Sequence, residues 1–266
     1  MNEHRKNVQK YYDLSTSGFL EFSTTIQSSP IISGREITTK ISNLYFLIRR
    51  AGIKPGYRVL DAGCGVCGPS IDLALMIDNI EIHAITISSV QVQIAKSLLR
   101  KNNLSRKIVI YKGDFHHLPF TGQSFDVVYF LESACYSDDL EQLFSAVYRV
   151  LRPGGTLFIK DFFMDDNLLT DHYKEVFRNI DSGFATSISS LDNTLNAIIN
   201  AKFNIINVRD IIDITHSIFT SEKTYYKIED GFFIPNRTRG FKFSDRIGDC
   251  KPIFGEIIAK KPIGIK

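Results

Sequence analysis

The sequence lacks the features that mark several classes of protein. Only four of its 266 residues are cysteines, which is too few for a disulfide scaffold of this size. Neither sign of charge is in large excess, because 32 Lys and Arg against 29 Asp and Glu leave a net charge of +3, so we expect no nucleic-acid partner. No apolar run approaches the roughly 20 residues of a membrane helix, and the polar residues 1–10 hold no apolar signal core. We therefore expect a cytoplasmic protein without integral membrane contact.

Two of the cysteines form a C-x-x-C motif, which is found in redox pairs and in halves of zinc sites. Cys64 and Cys67 lie inside a glycine-rich turn, and neither a second cysteine pair nor a closely spaced histidine pair completes a tetrahedral zinc site. Small side chains also suit a tight turn for packing reasons alone. We therefore predict no metal ligands at these positions.

The pattern of apolar residues divides the chain into parts. Residues 1–50 are mostly amphipathic and helical, and we predict a helical N-terminal lid there. Over 51–266, short apolar runs alternate with helical stretches, which is typical of βαβ units and a parallel sheet. Within this domain, the segment 209–253 is rich in Tyr, Phe, Arg and Lys. It is long for a plain loop, so we predict that it covers the substrate.

The alternation predicts the elements of a single sheet. The run 125–131 is nearly all apolar, so we expect it to be buried on both faces. The fold class is predicted to be α/β: a Rossmann-like, seven-stranded, mostly parallel sheet with helices on both faces, a helical N-terminal addition and a C-terminal cover. The predicted strands are 57–62, 80–87, 108–112, 125–131, 156–163, 203–208 and 254–259, and the predicted helices are 7–22, 37–50, 70–77, 90–101, 140–151, 168–179 and 188–202.

A glycine-rich loop follows the first predicted strand of the sheet. Gly63, Gly65 and Gly68 form G-x-G-x-x-G, and glycine suits a tight turn at which a ligand approaches the backbone closely. Two cofactors compete for such a loop, a dinucleotide and S-adenosylmethionine. Asp61 precedes the loop, where its carboxylate would repel a pyrophosphate at the next helix N-terminus but tolerate a cationic sulfonium. A turn without a ligand is the third interpretation.

The second and third strands bear on the same choice. A NAD site has an acidic residue about 20 residues past the loop, whereas here the second strand ends Ala84-Ile85-Thr86-Ile87-Ser88. S-adenosylmethionine is therefore favoured, and a NAD-binding oxidoreductase is kept as the alternative from another class. After the third strand, Asp114 could accept a hydrogen bond from an adenine amino group beside the ring of Phe115. A helix cap is the structural alternative for Asp114.

Four segments together resemble the class I S-adenosylmethionine-dependent methyltransferases. They are V-L-D-A-G-C-G-V-C-G at 59–68, G-D-F-H-H-L-P-F at 113–120, F-D-V-V-Y at 125–129 and L-R-P-G-G at 151–155. Three more are similar to the branch of sterol, cyclopropane-fatty-acid and prenyl-diphosphate C-methyltransferases, namely Y-Y-D-L at 11–14, A-I-T-I-S-S-V-Q at 84–91 and L-E-S-A-C-Y at 131–136. The last looks especially like the prenyl-diphosphate members.

The resemblance implies a binding site for S-adenosylmethionine and assigns residues to it. Those at the methionine end of the cofactor would be Asp61, Gly63, Gly65 and Leu131. The ribose would meet Thr86, Ile87 and Gln91, the adenine would meet Asp114 and Phe115, and Tyr11 and Tyr12 would roof the site. The chain departs from the branch at Cys67 and Ala84, where glycine is common, and 209–253 matches no motif.

The chemistry of this branch needs an aromatic site with a base. Alkene π electrons attack the sulfonium methyl and leave a tertiary carbocation, which aromatic faces stabilise by roughly 1–2 kcal/mol each. A carboxylate then removes a proton. The predicted catalytic residues are Glu132, at the end of the fourth strand, with Tyr12 and Tyr136. A surface acid is the alternative for Glu132, and a core position is the alternative for Tyr136.

We predict methyl transfer to an alkene carbon of a prenyl or terpenoid substrate, most simply a prenyl diphosphate. Cations would then have to meet the diphosphate, and Mg²⁺ enters only if that group is present, with Asp165-Asp166 as faint evidence. An O- or N-methyltransferase of a small metabolite is the runner-up, and a homo-oligomer is left open. The candidate cations are Arg237, Arg239, Lys242, Arg246, His116 and His117.

Overall fold

The structure is a computed structural model that describes residues 1–21, 31–32, 35–36, 39–211, 225–236, 240–242, 250 and 252–264. Seven α-helices occur in these ranges. They are α1 (Glu3–Leu20), α2 (Thr39–Leu44), α3 (Gly68–Met76), α4 (Ser89–Lys101), α5 (Leu140–Val150), α6 (Asp171–Phe184) and α7 (Leu191–Asn200). A π-helical segment, Tyr45–Arg50, continues α2, so the helix predicted over 37–50 is described from residue 39 onward.

Twelve strands are described in the same ranges. They are β1 (Ile31–Ile32), β2 (Arg35–Glu36), β3 (Arg58–Ala62), β4 (Glu81–Thr86), β5 (Ile108–Lys112), β6 (Phe125–Leu131), β7 (Leu151–Phe163), β8 (Asn204–Asp210), β9 (Tyr225–Glu229), β10 (Phe232–Asn236), β11 (Phe241–Lys242) and β12 (Ile253–Lys260). Strands β1 and β2 form a small antiparallel pair of their own.

Seven of these strands form one sheet in the order β5-β4-β3-β6-β7-β12-β8. Strand β12 runs antiparallel to both of its neighbours, and the other pairs are parallel. Strand β6 lies at the centre and is buried along nearly its whole length, because its apolar residues face helices on both sides. The predicted α/β fold with a Rossmann-like, seven-stranded, mostly parallel sheet is confirmed.

Two apolar clusters fill the two faces of the sheet. On one face, residues of the π-helical segment, α3 and α4 pack against the strands, with Phe46, Leu73 and Leu99 buried among them. On the other face, α5 and α7 cover the strands, with Phe144 and Ile198 fully buried. This three-layer arrangement leaves the carboxyl ends of the parallel strands open for a site.

Several element boundaries differ from the prediction. Strand β7 begins at Leu151, which pairs with Phe125, so the Arg152-Pro153-Gly154-Gly155 segment belongs to the strand rather than to a turn after α5. Helix α6 runs on to Phe184, where the apolar face that packs on β10 ends. Such shifts arise because tertiary packing, not local propensity, decides where an element ends.

A second sheet lies in the segment that we predicted as a cover. Strands β9, β10 and β11 form a three-stranded antiparallel sheet. Asp230 (φ 52°) and Gly231 (φ 85°) connect β9 to β10, and two successive left-handed residues make the type I′ turn of a tight hairpin. The Asp-Gly pair between two apolar runs is a signal that the sequence prediction missed.

Candidate active site

A cavity lies at the carboxyl ends of the parallel strands. Loops after β3, β4 and β5, the end of β6 and the face of α1 form its wall. The structure brings eleven of the predicted site residues together on this wall. They are Tyr12, Gly63, Gly65, Thr86, Ile87, Gln91, Asp114, Phe115, Leu131, Glu132 and Tyr136.

The glycine loop is held against the sheet by its backbone. The N–H groups of Gly63 and Cys64 both donate to the carbonyl oxygen of Ile85. Gly63 has a left-handed φ of 87°, and a Cβ added there would overlap the Cβ of Ser133 and lie 2.8 Å from its Oγ. Glycine is therefore required at residue 63 for both conformation and space.

The C-x-x-C cysteines lie in the same loop and are buried. Cys67 adopts φ 67° at the N-cap of α3, which gives a physical reason why the related branch commonly has glycine there. Burial raises the pKa of the Cys64 thiol well above its usual value, and the neighbouring Cys67 adds to the shift. Among the described residues, no group of three or more His, Cys, Asp or Glu side chains could hold a metal ion.

Gln91 is the residue whose contacts best fit a cofactor ribose. Its Oε1 accepts a hydrogen bond of 2.6 Å from the hydroxyl of Thr86, so Thr86 orients Gln91. The Nε2 of Gln91 is buried and has no acceptor among the described residues. An unpaired buried donor costs free energy, and a ribose hydroxyl in the cavity would satisfy it. The residues present therefore fit S-adenosylmethionine.

Asp61 and Tyr11 are not on the cavity wall, contrary to the prediction. Asp61 is buried behind the glycine loop, where its Oδ2 accepts a hydrogen bond of 2.6 Å from Ser70. Burial raises the pKa of Asp61 to about 6, against the hydrogen bonds from Ser70 and Tyr129. Tyr11 is fully buried behind Tyr12, with 5.1 Å between the two ring centroids. The charge of Asp61 can still act on a ligand in the cavity, and Tyr11 supports the cavity wall by packing against Tyr12.

Asp114 is on the wall, but other groups already hold its carboxylate. It caps a short 3-10 helix, Phe115–His117, and accepts hydrogen bonds from the backbone N–H and the ring of His116. Arg5 of α1 donates to its other oxygen at 3.2 Å. Burial would raise the pKa of Asp114, but the bonds from His116 and the charge of Arg5 outweigh it and keep that pKa below its usual range. Both the cap and the adenine interpretation of Asp114 fit this position.

The predicted catalytic residues all lie on the wall of the cavity. The rings of Tyr12 and Tyr136 lie 5.2 Å apart, and Glu132 lies on the same wall with a side chain that is 9% exposed. Burial raises the pKa of Tyr12 above its usual value. Glu132 is therefore not the surface acid of the alternative interpretation, and Tyr136 is a wall residue.

The sequence analysis missed the partner of Glu132. Lys160 of β7 has a fully buried side chain whose Nζ lies 2.9 Å from Oε1 of Glu132. A lysine followed by Asp161 inside a strand that is otherwise apolar was the available signal, because buried charges are retained where they are paired. Asp161 is also buried, and its pKa is raised to about 6 by burial, with the charge of Glu132 adding to the shift.

The candidates for a diphosphate site fall into two groups. Arg237, Arg239 and Arg246 lie outside the described residues, whereas Lys242 belongs to β11 and is partly exposed. His116 bonds Asp114 and Ser137, and the exposed His117 ring lies 3.4 Å from Asp114.

The faint metal candidate has a structural role instead. Asp165 caps the short helix Asp166–Leu168, and Asp166 accepts the backbone N–H of Asp192. Both carboxylates therefore already have partners within the fold.

A comparison with protein families decides what kind of protein carries this cavity. A family model described as a methyltransferase domain matches residues 53–230. The chain belongs to the class I S-adenosylmethionine-dependent methyltransferases. The match covers every strand from β3 to β9, and it agrees with the glycine loop and the orphan donor of Gln91. The family predicted from the sequence motifs is thereby confirmed.

Relatives within the methyltransferases point to the C-methyltransferase branch. The sterol 24-C-methyltransferase of Schizosaccharomyces pombe is 31% identical over 216 residues, which are 79% of this chain and 57% of the relative. The chain thus matches little more than half the length of that relative. In the described part of the chain, no helix has the length and apolar character needed to span a bilayer.

Solved structures share the fold. The geranyl diphosphate C-methyltransferase of Streptomyces coelicolor, solved with Mg²⁺, geranyl diphosphate and S-adenosyl-L-homocysteine, superposes with a TM-score of 0.76 at 16% identity, covering 98% of each chain. The cyclase SpnF superposes with a TM-score of 0.76 at 21% identity, covering 97% of this chain and 96% of its own. Because one neighbour is a cyclase, the fold alone does not specify methyl transfer.

Proposed function

We propose that this protein transfers the methyl group of S-adenosylmethionine to an alkene carbon of an isoprenoid substrate, with a sterol side chain as the first substrate class. The observation that carries the proposal is the position of Glu132, Tyr12 and Tyr136 on the wall that also holds the glycine loop and Gln91. The sequence similarity to sterol 24-C-methyltransferases supports a sterol over the prenyl diphosphate that the motifs first suggested.

A prenyl diphosphate is the second candidate substrate. It is supported by the L-E-S-A-C-Y segment and by the shared fold with a geranyl diphosphate C-methyltransferase. This candidate needs cations or Mg²⁺ at the diphosphate, and most of the arginines proposed for that role lie outside the described residues. Cytoplasmic location and oligomeric state remain predictions.

In the proposed mechanism, residues of the chain bind the cofactor, surround the carbocation and remove a proton from it. Gln91 holds the ribose and the glycine loop leaves room for the methionine end. The cofactor supplies an electrophilic methyl group on a sulfonium. The alkene π pair would form the new C–C bond, and sulfur would keep the electron pair of the S–CH₃ bond. Tyr12 and Tyr136 face the resulting tertiary carbocation.

Glu132 completes the reaction by accepting a proton from the carbon next to the cation. The electron pair of that C–H bond becomes the new double bond, so charge and atoms balance. A carboxylate on the wall that also holds Tyr12 and Tyr136 lowers the energy of the cation before the proton leaves. Binding of the cofactor does not require the carboxylate of Glu132, so binding and turnover can be measured separately in variants of that residue.

The proposal is tested by incubating the protein with S-adenosylmethionine and a panel of sterols, prenyl diphosphates and small amines or alcohols, each with and without Mg²⁺. We expect a sterol product heavier by one CH₂. A product from a prenyl diphosphate alone would select the second candidate. Methylation only at nitrogen or oxygen, or calorimetric binding of NAD without S-adenosylmethionine, would refute the proposal.

The role of Glu132 is tested by Glu132→Gln, which keeps the size of the side chain. We expect turnover to fall about 100-fold or more, since removal of a general base costs that much, while the Kd for S-adenosylmethionine stays within about twofold. Glu141→Gln, on the exposed side of α5, is the matched control. Unchanged turnover in Glu132→Gln would exclude Glu132 from the mechanism.

A further inference from the structure

Glu132 is held in an unusual conformation at the end of β6. Its φ of 56° is left-handed, which costs a residue with a side chain on the order of 1 kcal/mol. The backbone N–H of Glu132 donates a hydrogen bond of 2.7 Å to the carbonyl oxygen of Lys160 on the neighbouring strand. A strained backbone conformation of this kind persists where contacts with the surrounding structure hold it in place. Such conformations are often found at functional sites.

Lys160 also contacts the side chain of Glu132. Its Nζ lies 2.9 Å from Oε1 of Glu132, and the Lys160 side chain is fully buried. The rings of Phe46 and Phe254 lie 5.3 and 5.4 Å from the same Nζ, and aromatic faces attract a desolvated ammonium. Among the described residues, Nζ has no hydrogen-bond partner of good geometry, and the ion pair with Glu132 is its polar contact. The carboxylate of Glu132 is thus the main charged partner of a buried cation.

A buried ammonium without an equal counter-charge is costly, so the pair stabilises both ionised forms. In the described ranges, three further titratable groups close to this pair are an acid, a thiol and a phenol, none of which carries a positive charge. Asp161 lies next to Lys160 and accepts the backbone N–H of Cys135. The Cys135 thiol and the Tyr12 phenol are both buried, which raises the pKa of each and keeps them neutral near pH 7. Lys160 is therefore the cation that offsets Glu132 within this group.

We infer that Lys160 is a positioning residue for the proposed reaction: it keeps the Glu132 carboxylate ionised and fixes it on the cavity wall, ready to accept the proton of the carbocation. The inference rests on the proposed function. One oxygen of Glu132 stays with Lys160 while the carboxylate accepts the substrate proton.

The main test removes the charge in Lys160→Met and observes Glu132 directly. In protein labelled with ¹³C at the glutamate carboxyl and saturated with S-adenosyl-L-homocysteine, NMR follows the titration of Glu132, and Glu132→Gln identifies its resonance. Loss of the ammonium favours the protonated carboxyl, so we expect the midpoint to move up by about one pH unit or more. Selective labelling keeps Asp161, which titrates near pH 6, out of the spectrum.

Kinetics with the substrate found in the panel provide the second readout. We expect Lys160→Met to lower kcat about tenfold or more, to move the acid limb of the pH profile to higher pH, and to leave the Kd for S-adenosylmethionine within about twofold. The double variant Glu132→Gln/Lys160→Met should be no slower than Glu132→Gln alone, because Lys160 acts through Glu132.

Two further variants control for the loss of a buried lysine and for misfolding of Lys160→Met. Lys261→Met removes another largely buried lysine, whose Nζ donates to the carbonyl oxygens of Tyr148 and Leu151 away from the cavity, and it should leave the Glu132 titration in place. If Lys160→Met does not fold, Lys160→Gln removes the charge while keeping a hydrogen-bond donor, and the same shift is expected.

The failure of this inference can be told apart from failure of the proposed function. An unchanged Glu132 midpoint in the charge-removing variants, or additive losses of kcat in the double variant, would overturn the role of Lys160 and leave C-methylation intact. A shifted midpoint in a protein that methylates no alkene would refute the proposed function while leaving the ion pair as the determinant of Glu132 ionisation.

Discussion

At the scale of single residues, the site depends on positions where only one kind of side chain fits. Gly63 combines a left-handed backbone with close contact to Ser133, and the Ser133 hydroxyl donates to the carbonyl oxygen of Ala62 at 2.6 Å. This hydrogen bond joins the neighbouring strands β3 and β6 at the glycine loop. A side chain at residue 63 would separate them.

Gly63→Ala is expected to be more destabilising than Gly52→Ala. Both glycines have left-handed φ, of 87° and 73°, but nothing lies within 4 Å of a Cβ added to Gly52. The difference therefore isolates the overlap with Ser133, for which we expect about 2 kcal/mol in the free energy of unfolding measured by urea titration. We also expect weaker S-adenosylmethionine binding in Gly63→Ala only. Equal destabilisation of the two variants would show that the loop can move away from Ser133.

At the scale of elements, α1 closes the cavity through polar contacts at two points. Arg5, which is 7% exposed, donates to Asp114, to Asp138 at 2.9 Å and to Gln142 at 2.9 Å. About two turns further along the helix, Asp13 accepts the hydroxyl of Ser88, the residue that caps α4. Charge-assisted bonds of this kind contribute about 1.5–3 kcal/mol each, so α1 is held over the cavity both at Asp114 and at the start of α4.

Arg5→Ala is expected to loosen α1 without unfolding the sheet. Hydrogen–deuterium exchange at residues 3–20 should become at least about tenfold faster, since local opening follows the lost stabilisation, and binding of S-adenosylmethionine should weaken because Arg5 lines the cavity. Lys6→Ala removes the same charge from the exposed side of the helix and is the control. Similar exchange in both variants would mean that the apolar face of α1 alone holds it in place.

At the scale of the whole molecule, a buried carboxylate joins distant parts of the chain. Glu256 of β12 is fully buried and accepts hydrogen bonds from Arg50 at 2.9 Å and from Arg209 at 3.2 Å. These residues belong to the π-helical segment, to β8 and to the antiparallel strand that separates β8 from β7. The cluster therefore connects the start of the domain to its last strands.

Glu256→Gln is expected to lower the free energy of unfolding by about 3 kcal/mol, because it leaves two arginines without the carboxylate that offsets their desolvation. Glu229→Gln breaks the exposed pair of Lys227 and Glu229 and should cost less than about 1 kcal/mol. Urea titration of both variants provides the measurement. A loss for Glu256→Gln no larger than that of the control would show that the arginines are fully solvated in its absence.

The main sheet, the family and most of the cavity wall could be predicted from the amino-acid sequence. Short apolar runs between helical patterns predicted the strands of the main sheet, because strands covered by helices on both faces are apolar along most of their length. The glycine-rich loop and the acidic residue at the end of the fourth predicted strand were visible as local signals in the sequence. Eleven of the predicted residues, Gly63, Gln91 and Glu132 among them, line one cavity.

How those residues are paired became visible in the folded structure. Lys160 and Glu132 are 28 positions apart and meet because β6 and β7 are neighbours, which local patterns do not encode. Asp61 and Tyr11 follow the predicted motifs, yet burial behind the loop and behind Tyr12 takes both off the wall. Burial and long-range charge pairing depend on the distances between folded elements, and these distances set the ionisation of the site.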